Sequence, residues 1–302
     1  MKRFGRTLFR TASYSVALVL STVSSGFVAA QQPAATGLTE PVFRVSKIEP
    51  SIPASIPLHP LDPAIQLAHQ SLAQIRSDLK DYTAVLVKRE RIGEEVGEHE
   101  FMFVKVRNRK FVENRLAVPL SVYVAFLKPA AVKGREVLFV ENQNQGKLYA
   151  HEGGMKRILG THLLETNSFL AMAGQRYPIT DIGIENLVMK LIERGEKDKR
   201  HGFCKVELVP GAKVGGRNCS IIQVTHPVQQ PHYDFHLAQI FMDDEWKIPV
   251  RYAAYTWPKK GGEIDVNKDV IEEYTYQTLK FNIGLTDADF DVKNKDYNFH
   301  GK

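Results

Sequence analysis

Apolar positions divide the chain into one long helix, a succession of strands and an interrupting apolar segment. Ile65, Ala68, Leu72, Ile75 and Leu79 recur at intervals of three and four residues. That spacing predicts a helix of roughly eighteen residues with one apolar stripe. Asp62-Pro63 marks its start, an N-cap followed by proline in the first turn. A single stripe is not stable alone, so this helix must be buried against something larger.

The larger body is a run of strands. Residues 82–90 are rich in β-formers, and Gly93 and Gly97 punctuate a turn after them. Met102, Val104 and Val106 alternate with Phe103, Lys105 and Arg107, while Leu120, Val122, Val124 and Phe126 share one face of the next strand. Strands at 136–140 and 147–151 flank the hairpin signal Asn142-Gln143-Asn144-Gln145-Gly146. Further strands are expected at 203–209, 218–225, 233–242, 249–256 and 270–281. About ten strands with short turns, and no helix between most of them, imply an antiparallel sheet. Residues 152–200 break this rhythm. Ile184, Leu187, Val188, Leu191 and Ile192 mark a second amphipathic helix, and Leu159, Leu163, Leu164, Phe169, Leu170 and Met172 predict further helical or looped packing before it. This insertion either covers the open face of a curved sheet as a lid or is a plain core element.

Residues 1–30 read as a signal peptide. Lys2, Arg3, Arg6 and Arg10 precede a mainly apolar run from Ser13 to Val23, and Val28-Ala29-Ala30 supplies small residues before Gln31. The run is short for a membrane span of ~20 apolar residues, though an uncleaved anchor is the alternative. No cysteine follows it, which excludes lipid attachment there. No later stretch is apolar enough to span a membrane. Residues 31–60 carry six prolines and read as a linker, or as an ordered arm lying on the domain through Val42, Phe43, Val45 and Ile48. Residues 61–302 then form a single domain.

Charge changes the picture little. The net +6 falls to 36 basic against 34 acidic residues once the four basic residues of the first thirty are set aside. A near-neutral body argues against nucleic acid as a partner. Two cysteines exclude a disulfide-dense scaffold and a four-cysteine zinc site.

Several stretches carry a family resemblance. They are Phe126-Leu127-Lys128-Pro129 with Gly134-Arg135-Glu136-Val137-Leu138-Phe139-Val140, Asn144-Gln145-Gly146-Lys147-Leu148, and Arg176-Tyr177-Pro178-Ile179-Thr180. Ile240-Phe241-Met242-Asp243, Ile248-Pro249-Val250-Arg251, Glu273-Tyr274-Thr275-Tyr276, Asn282-Ile283-Gly284-Leu285-Thr286-Asp287 and Asp289-Phe290-Asp291 continue it. Over about residues 61–299 the chain resembles an uncharacterised family of secreted bacterial proteins, a domain of unknown function. Its layout is similar to the LolA and LolB lipoprotein carriers and the RseB-type periplasmic sensors. The resemblance implies an α+β fold: a curved, unclosed antiparallel half-barrel around the long N-terminal helix, with helices partly covering a concave apolar face. No carrier-specific site motif is matched, so no carrier residue is transferred.

Candidate chemistry is sparse. His226, His232 and His236 lie within eleven residues, and three imidazoles could hold zinc or copper. Pro227 and Pro231 separate the first from the second, so polar strand and turn histidines are the favoured reading, with no metal and no cofactor. Asp287, Asp289 and Asp291 fail as a calcium loop, because Val292 and Asn298 stand where glycine and glutamate are needed. Glu272 and Glu273 are strand neighbours that point to opposite faces and cannot form a catalytic dyad. Lys105, Arg107, Arg109 and Lys110 form a basic cluster, either a contact for anionic lipid heads or a solvated exterior. No hydrolase elbow, zinc-protease helix or phosphate loop occurs, and no catalytic residue is assigned.

These readings converge on a non-catalytic periplasmic or secreted protein that binds a hydrophobic or lipidic ligand in a half-barrel cavity. Val122, Val124, Phe126, Leu187 and Leu191 are expected to line that cavity, although tight packing of the insertion would fill it instead. The alternatives are an envelope interaction or sensor module docking a protein partner, and a hydrolase with dispersed residues. Cys204 and Cys219 are expected to form a disulfide. They fall opposite each other if Pro210 to Lys213 is a hairpin turn, and they remain buried free thiols otherwise. N-terminal sequencing of protein from the native host should find Gln31 as the first residue; a chain still starting at Met1 would remove the case for cleavage.

Overall fold

The computed structural model describes residues 59–259 and 262–299, together with the backbone of Phe43 and Arg44. The expected signal peptide lies outside the described residues, as does most of the proline-rich segment. In chain order the elements are β1 (Phe43–Arg44), α1 (Asp62–Asp78), β2 (Asp81–Ile92), β3 (Glu95–Val96), β4 (Glu100–Arg107), β5 (Lys110–Val112), β6 (Arg115–Val118), β7 (Ser121–Lys128), β8 (Glu136–Val140), β9 (Lys147–His151), β10 (Thr161–Glu165), α2 (Phe169–Met172), α3 (Ile184–Lys199), β11 (Lys205–Val214), β12 (Arg217–Thr225), β13 (Leu237–Asp243), β14 (Pro249–Tyr255) and β15 (Val270–Phe281).

One antiparallel sheet takes the order β1-β11-β12-β13-β14-β15-β2-β4-β7-β8-β9-β10, with β3 paired to β2 at the side and β5-β6 a separate ribbon. The path does not return on itself, so this α+β half-barrel is unclosed, with β1 and β10 at its ends. The strands beyond those expected from sequence are mostly short, such as β1 and β3 with two residues each. Register shifts at Val209/Ala212, Phe241/Met242, Ala254/Tyr255 and Gln277/Lys280 bend the strands at intervals.

The α1 stripe faces inward as its spacing requires. Ile65, Ile75 and Leu79 are buried, and Ala68 and Leu72 pack against the core. Asp62 is not the N-cap: that position is Leu61, without a side-chain hydrogen bond. Asp62 instead lies inside the first turn and pairs with Lys199 at the end of α3. Arg76 Nε meets Glu185 Oε1 at 2.8 Å near the other end, so the two helices run antiparallel. Gly195 permits their close approach, because a Cβ there would stand 3.0 Å from Ile65 Cγ1. The backbone N–H of Ile184, first in α3, donates to the buried Tyr82 hydroxyl at 2.9 Å. A β2 side chain thereby satisfies one of the unpaired donors at the helix start.

Residues 152–200 are not wholly helical. Leu163 and Leu164 belong to strand β10, which pairs with β9 in the register Leu163↔Tyr149 and Leu164↔Leu148. Gly160, at φ 78°, starts that strand by breaking the preceding 3₁₀ turn. A short apolar run does not distinguish edge strand from helix by periodicity.

The convex side of β4, β7 and β8 is covered by the C-terminal segment. Tyr297 stacks on Tyr123 at 3.9 Å between centroids, and Asn298 donates to Glu136 through its backbone (2.9 Å) and its side chain (2.5 Å). Most of the basic cluster serves packing: Lys105 pairs with Asp289 (3.0 Å), Arg107 with Asp287 (2.7 Å) and Arg109 with Glu141 (2.9 Å). Thr286 and Asp289 form a capping box within the same segment.

The expected disulfide is corrected. Cys204 and Cys219 are buried free thiols. The β11-β12 turn is Gly215-Gly216, both at positive φ, and Pro210-Gly211 falls in the bulge rather than the turn. Cys219 therefore faces Ala212, while Cys204 immediately precedes Lys205, the partner of Thr225. Burial raises the thiol pKa to about 11 for Cys204 and about 12 for Cys219. Thiol titration of the denatured, unreduced protein should find both cysteines reactive. Finding neither would mean that these strands pair in another register.

Candidate functional site

A cavity of about 770 Å³ lies between the concave sheet face and the segment running from β10 to α3. Alternation along the strands builds its wall. Leu86 on β2 is opposite Met102 on β4, which is opposite Phe126 on β7; Val124 on β7 is opposite Val137 on β8. All five line the cavity, and Leu187 and Leu191 of α3 line it from the other side.

Of the residues expected there, Val124, Phe126, Leu187 and Leu191 line the cavity. Val122 does not. It shares their strand face but lies between Val106 and Phe139, where the core is closed and its side chain is fully buried.

One end of the cavity carries a buried polar network that the sequence reading did not single out. Glu90 on β2 is opposite Glu272 on β15. Lys88 Nζ lies 3.1 Å from Glu90 Oε2, 3.0 Å from Glu100 Oε2 and 2.5 Å from Gln175 Oε1. The Tyr274 hydroxyl donates to Glu90 Oε1 at 2.5 Å and lies 3.3 Å from Glu272 Oε2. Arg194 Nη1 donates to the Tyr252 hydroxyl at 2.6 Å and to Glu272 Oε1 at 3.3 Å, and Arg176 Nε reaches Glu272 Oε2 at 3.3 Å. Burial, and then the charge of Glu272, push Tyr252 and Tyr274 far above the ordinary tyrosine range. Both hydroxyls are therefore fixed as neutral hydrogen-bonding groups. Three cations, Lys88, Arg176 and Arg194, face three carboxylates, Glu90, Glu100 and Glu272, so the network is formally neutral.

A signal for this network was present in the sequence. Lys88 and Glu90 continue the inward parity of Ala84 and Leu86 along β2, and Glu272 continues that of Tyr274 and Tyr276 along β15. Charges at inward strand positions are the mark of a buried polar site. By contrast Glu273 points to the opposite face, where it accepts from Arg251 Nη2 (2.6 Å) and meets His99 Nε2 (2.8 Å).

The family model for a protein of unknown function, DUF1571, matches residues 79–299. The chain belongs to this family. No curated protein matches the sequence. Among solved structures, the DUF1571 chain is similar to a DUF1329 family protein from Desulfovibrio piger, at 14% identity and TM-score 0.36, covering 78% of this chain and 98% of that one. It is similar to a LolA superfamily protein from Nitrosomonas europaea, at 10% identity and TM-score 0.31, covering 75% and 97%. It is also similar to MucB in the Pseudomonas aeruginosa MucA/MucB complex, at 13% identity and TM-score 0.42, covering 76% of this chain and 60% of that one. Values this low transfer neither a ligand nor a partner.

The candidate histidines do not converge, and no group of three or more His, Cys, Asp or Glu side chains suited to a metal ion occurs among the described residues. His226 is fully buried, with Nδ1 at 3.1 Å from the Phe235 carbonyl and its ring stacked on Tyr233 at 3.8 Å. His232 stacks instead on His201. His226 Nε2 lies 3.6 Å from Asp198 Oδ2 of α3. Burial lowers the His226 pKa, so the ring is held neutral. Burial also raises Asp198 to about 6, against a lowering by the Arg194 charge.

Because the folded-state value for Asp198 exceeds its unfolded value of 3.8, folding favours the protonated acid. Its contribution is intact below about pH 4 and is lost as pH rises through about 6. Asp198→Asn should therefore stabilise the protein at pH 8 by up to about 3 kcal/mol, with the gain vanishing near pH 4. Thermal melts across this range check it; a pH-independent difference would place the effect outside Asp198 ionisation.

Proposed function

We propose that this protein is a non-catalytic, exported cell-envelope protein that holds a hydrophobic or lipidic ligand in its half-barrel cavity. The observation that supports this reading most directly is the cavity itself: about 770 Å³, walled by Leu86, Met102, Val124, Phe126, Leu187 and Leu191. That volume is within the ~300–1,000 Å³ range of small-molecule sites. Burying a ~16-carbon chain at ~0.8 kcal/mol per methylene would gross over 10 kcal/mol. Association and ordering cost roughly 4–15 kcal/mol, which places the net affinity in a measurable range only if the walls are preformed. Here they are carried by hydrogen-bonded strands and a helix, so little ordering is left to do.

The polar network supports binding over hydrolysis. Glu90 accepts from Tyr274, Lys88 and the backbone of Arg176, and Glu272 is held by Arg194 and Arg176. With their oxygens occupied in this way, neither carboxylate stands open to activate a water. A neutral polar end opposite apolar walls fits an amphiphile, whose polar head would rest against Tyr252, Tyr274 and Arg194.

Displacement of a fluorescent fatty acid from delipidated protein should be saturable. Leu187→Trp, which fills the cavity from α3, and Leu187→Asp, which charges it, should each weaken binding at least about tenfold. Mass spectrometry of lipids co-purifying from the native envelope supplies the second readout. Absence of saturable binding by folded protein, with no co-purifying lipid, would shift the reading to a protein-docking module.

A further inference from the structure

The three most exposed large apolar side chains among the described residues, Met155, Phe169 and Ile158, lie beside the cavity. Met155 is 93% exposed, Ile158 86%, Leu159 61%, Phe169 87% and Leu170 69%. They lie on the 3₁₀ turn Gly154–Leu159 and on α2, the two irregular pieces flanking edge strand β10. Leu159 and Leu170 also line the cavity, so apolar surface reaches from outside into it. Lys156 and Arg157 stand exposed within the same turn. The neighbouring acids are already engaged: Glu152 with Arg135 at 3.1 Å and Glu165 with Lys147 at 3.2 Å. The rim is therefore apolar and net cationic.

We propose that this rim is a membrane-docking surface, which seats the cavity mouth on an anionic lipid bilayer by inserting Met155, Ile158 and Phe169 among the acyl chains. Long apolar side chains interleaved with cations in one short turn match the layered chemistry of a bilayer interface, where hydrocarbon lies directly beneath anionic head groups. A protein partner would select a different pattern, because lysine is depleted from the centre of protein interfaces and here Lys156 lies between Met155 and Ile158. Docking in this orientation would open the cavity toward hydrocarbon rather than water, giving an acyl chain a dry path past Leu159 and Leu170. The proposal rests on the lipid-binding reading for its purpose but not for its measurement.

The test is co-sedimentation of the native-host protein with vesicles of phosphatidylglycerol and phosphatidylcholine in equal parts, and with phosphatidylcholine alone. Wild type should bind the anionic vesicles more tightly, and salt should weaken that binding. Ile158→Ser combined with Phe169→Ser should lower partitioning at least about tenfold. Lys156→Ala combined with Arg157→Ala should cost about fivefold per charge and remove most of the preference for anionic lipid. Ile158 and Phe169 are outside the cavity lining. Fatty-acid displacement by the serine variant should therefore be unchanged, which separates loss of docking from loss of the cavity. Wild-type partitioning by both variants, or no vesicle binding by wild type, would overturn the proposal. So would a wild-type dimer in gel filtration that becomes a monomer in the serine variant, since the rim would then be covered by a second copy.

Discussion

Everything in this molecule depends on an antiparallel sheet that curves without closing. A closed barrel of comparable strand number would fill its interior with its own side chains or enclose a channel. An open one must cover its concave face with other elements, and α1 and α3 supply that cover as an antiparallel pair. Gly195 lets them approach at Ile65, while Asp62–Lys199 and Arg76–Glu185 tie their ends. Two helices side by side are narrower than the face of this sheet. The part under α1 becomes core, centred on residues such as Ile240 and Tyr252 with Leu61 and Ile65. The part beyond α3, over β4, β7, β8 and β9, is left as the cavity wall.

The size of that cavity bears on whether it is a packing defect. At about 770 Å³ it is several times the roughly 150 Å³ left when a large core side chain is truncated. Its walls are held apart by elements fixed elsewhere in the fold. The backbone ladder does this on one side. On the other, α3 is fixed independently of the cavity by Tyr82 at its first turn and by α1 along its flank. The convex face is likewise sealed by the C-terminal segment, through Tyr297 on Tyr123 and Asn298 on Glu136.

Much of this frame was legible in the sequence, because strand alternation and helix spacing report directly on which side is buried. The α1 stripe, the α3 stripe and the limits 270–281 of β15 follow from periodicity. Where turn chemistry was ambiguous the reading failed. Pro210-Gly211 resembles a hairpin turn, but the twin glycines at 215 and 216 supply the positive φ angles that a tight turn needs, and the register moved with them. The β10 strand was hidden for a different reason. Five residues on a sheet edge, largely exposed, carry no periodic signal strong enough to separate strand from loop. Within the site, parity alone placed Val124 and Phe126 correctly on the inward face, yet it could not tell a cavity-lining position from Val122, whose surroundings are set by pairing partners distant in sequence.

The polar network shows why burial and function are hard to separate here. Six charged groups at one end of an apolar cavity carry a large desolvation cost, and replacing such clusters with apolar side chains often stabilises a fold. Their presence is therefore not accounted for by stability alone. Lys88, Glu90 and Glu272 occupy strand positions that would otherwise extend the apolar wall set by Leu86 and Tyr276. As charges they bound that wall, stopping the hydrocarbon-like surface at Tyr252 and Tyr274 and presenting fixed hydroxyl and guanidinium groups at its edge. Leu159 and Leu170 line the cavity and are also exposed, so the apolar lining reaches solvent there. The lining is thus divided: apolar where Leu86, Met102, Val124 and Phe126 face Leu187 and Leu191, and charged where Lys88, Glu90, Arg194 and Glu272 meet. That division follows from strand parity, because the same inward positions of β2 and β15 carry apolar side chains toward one side and charges toward the other.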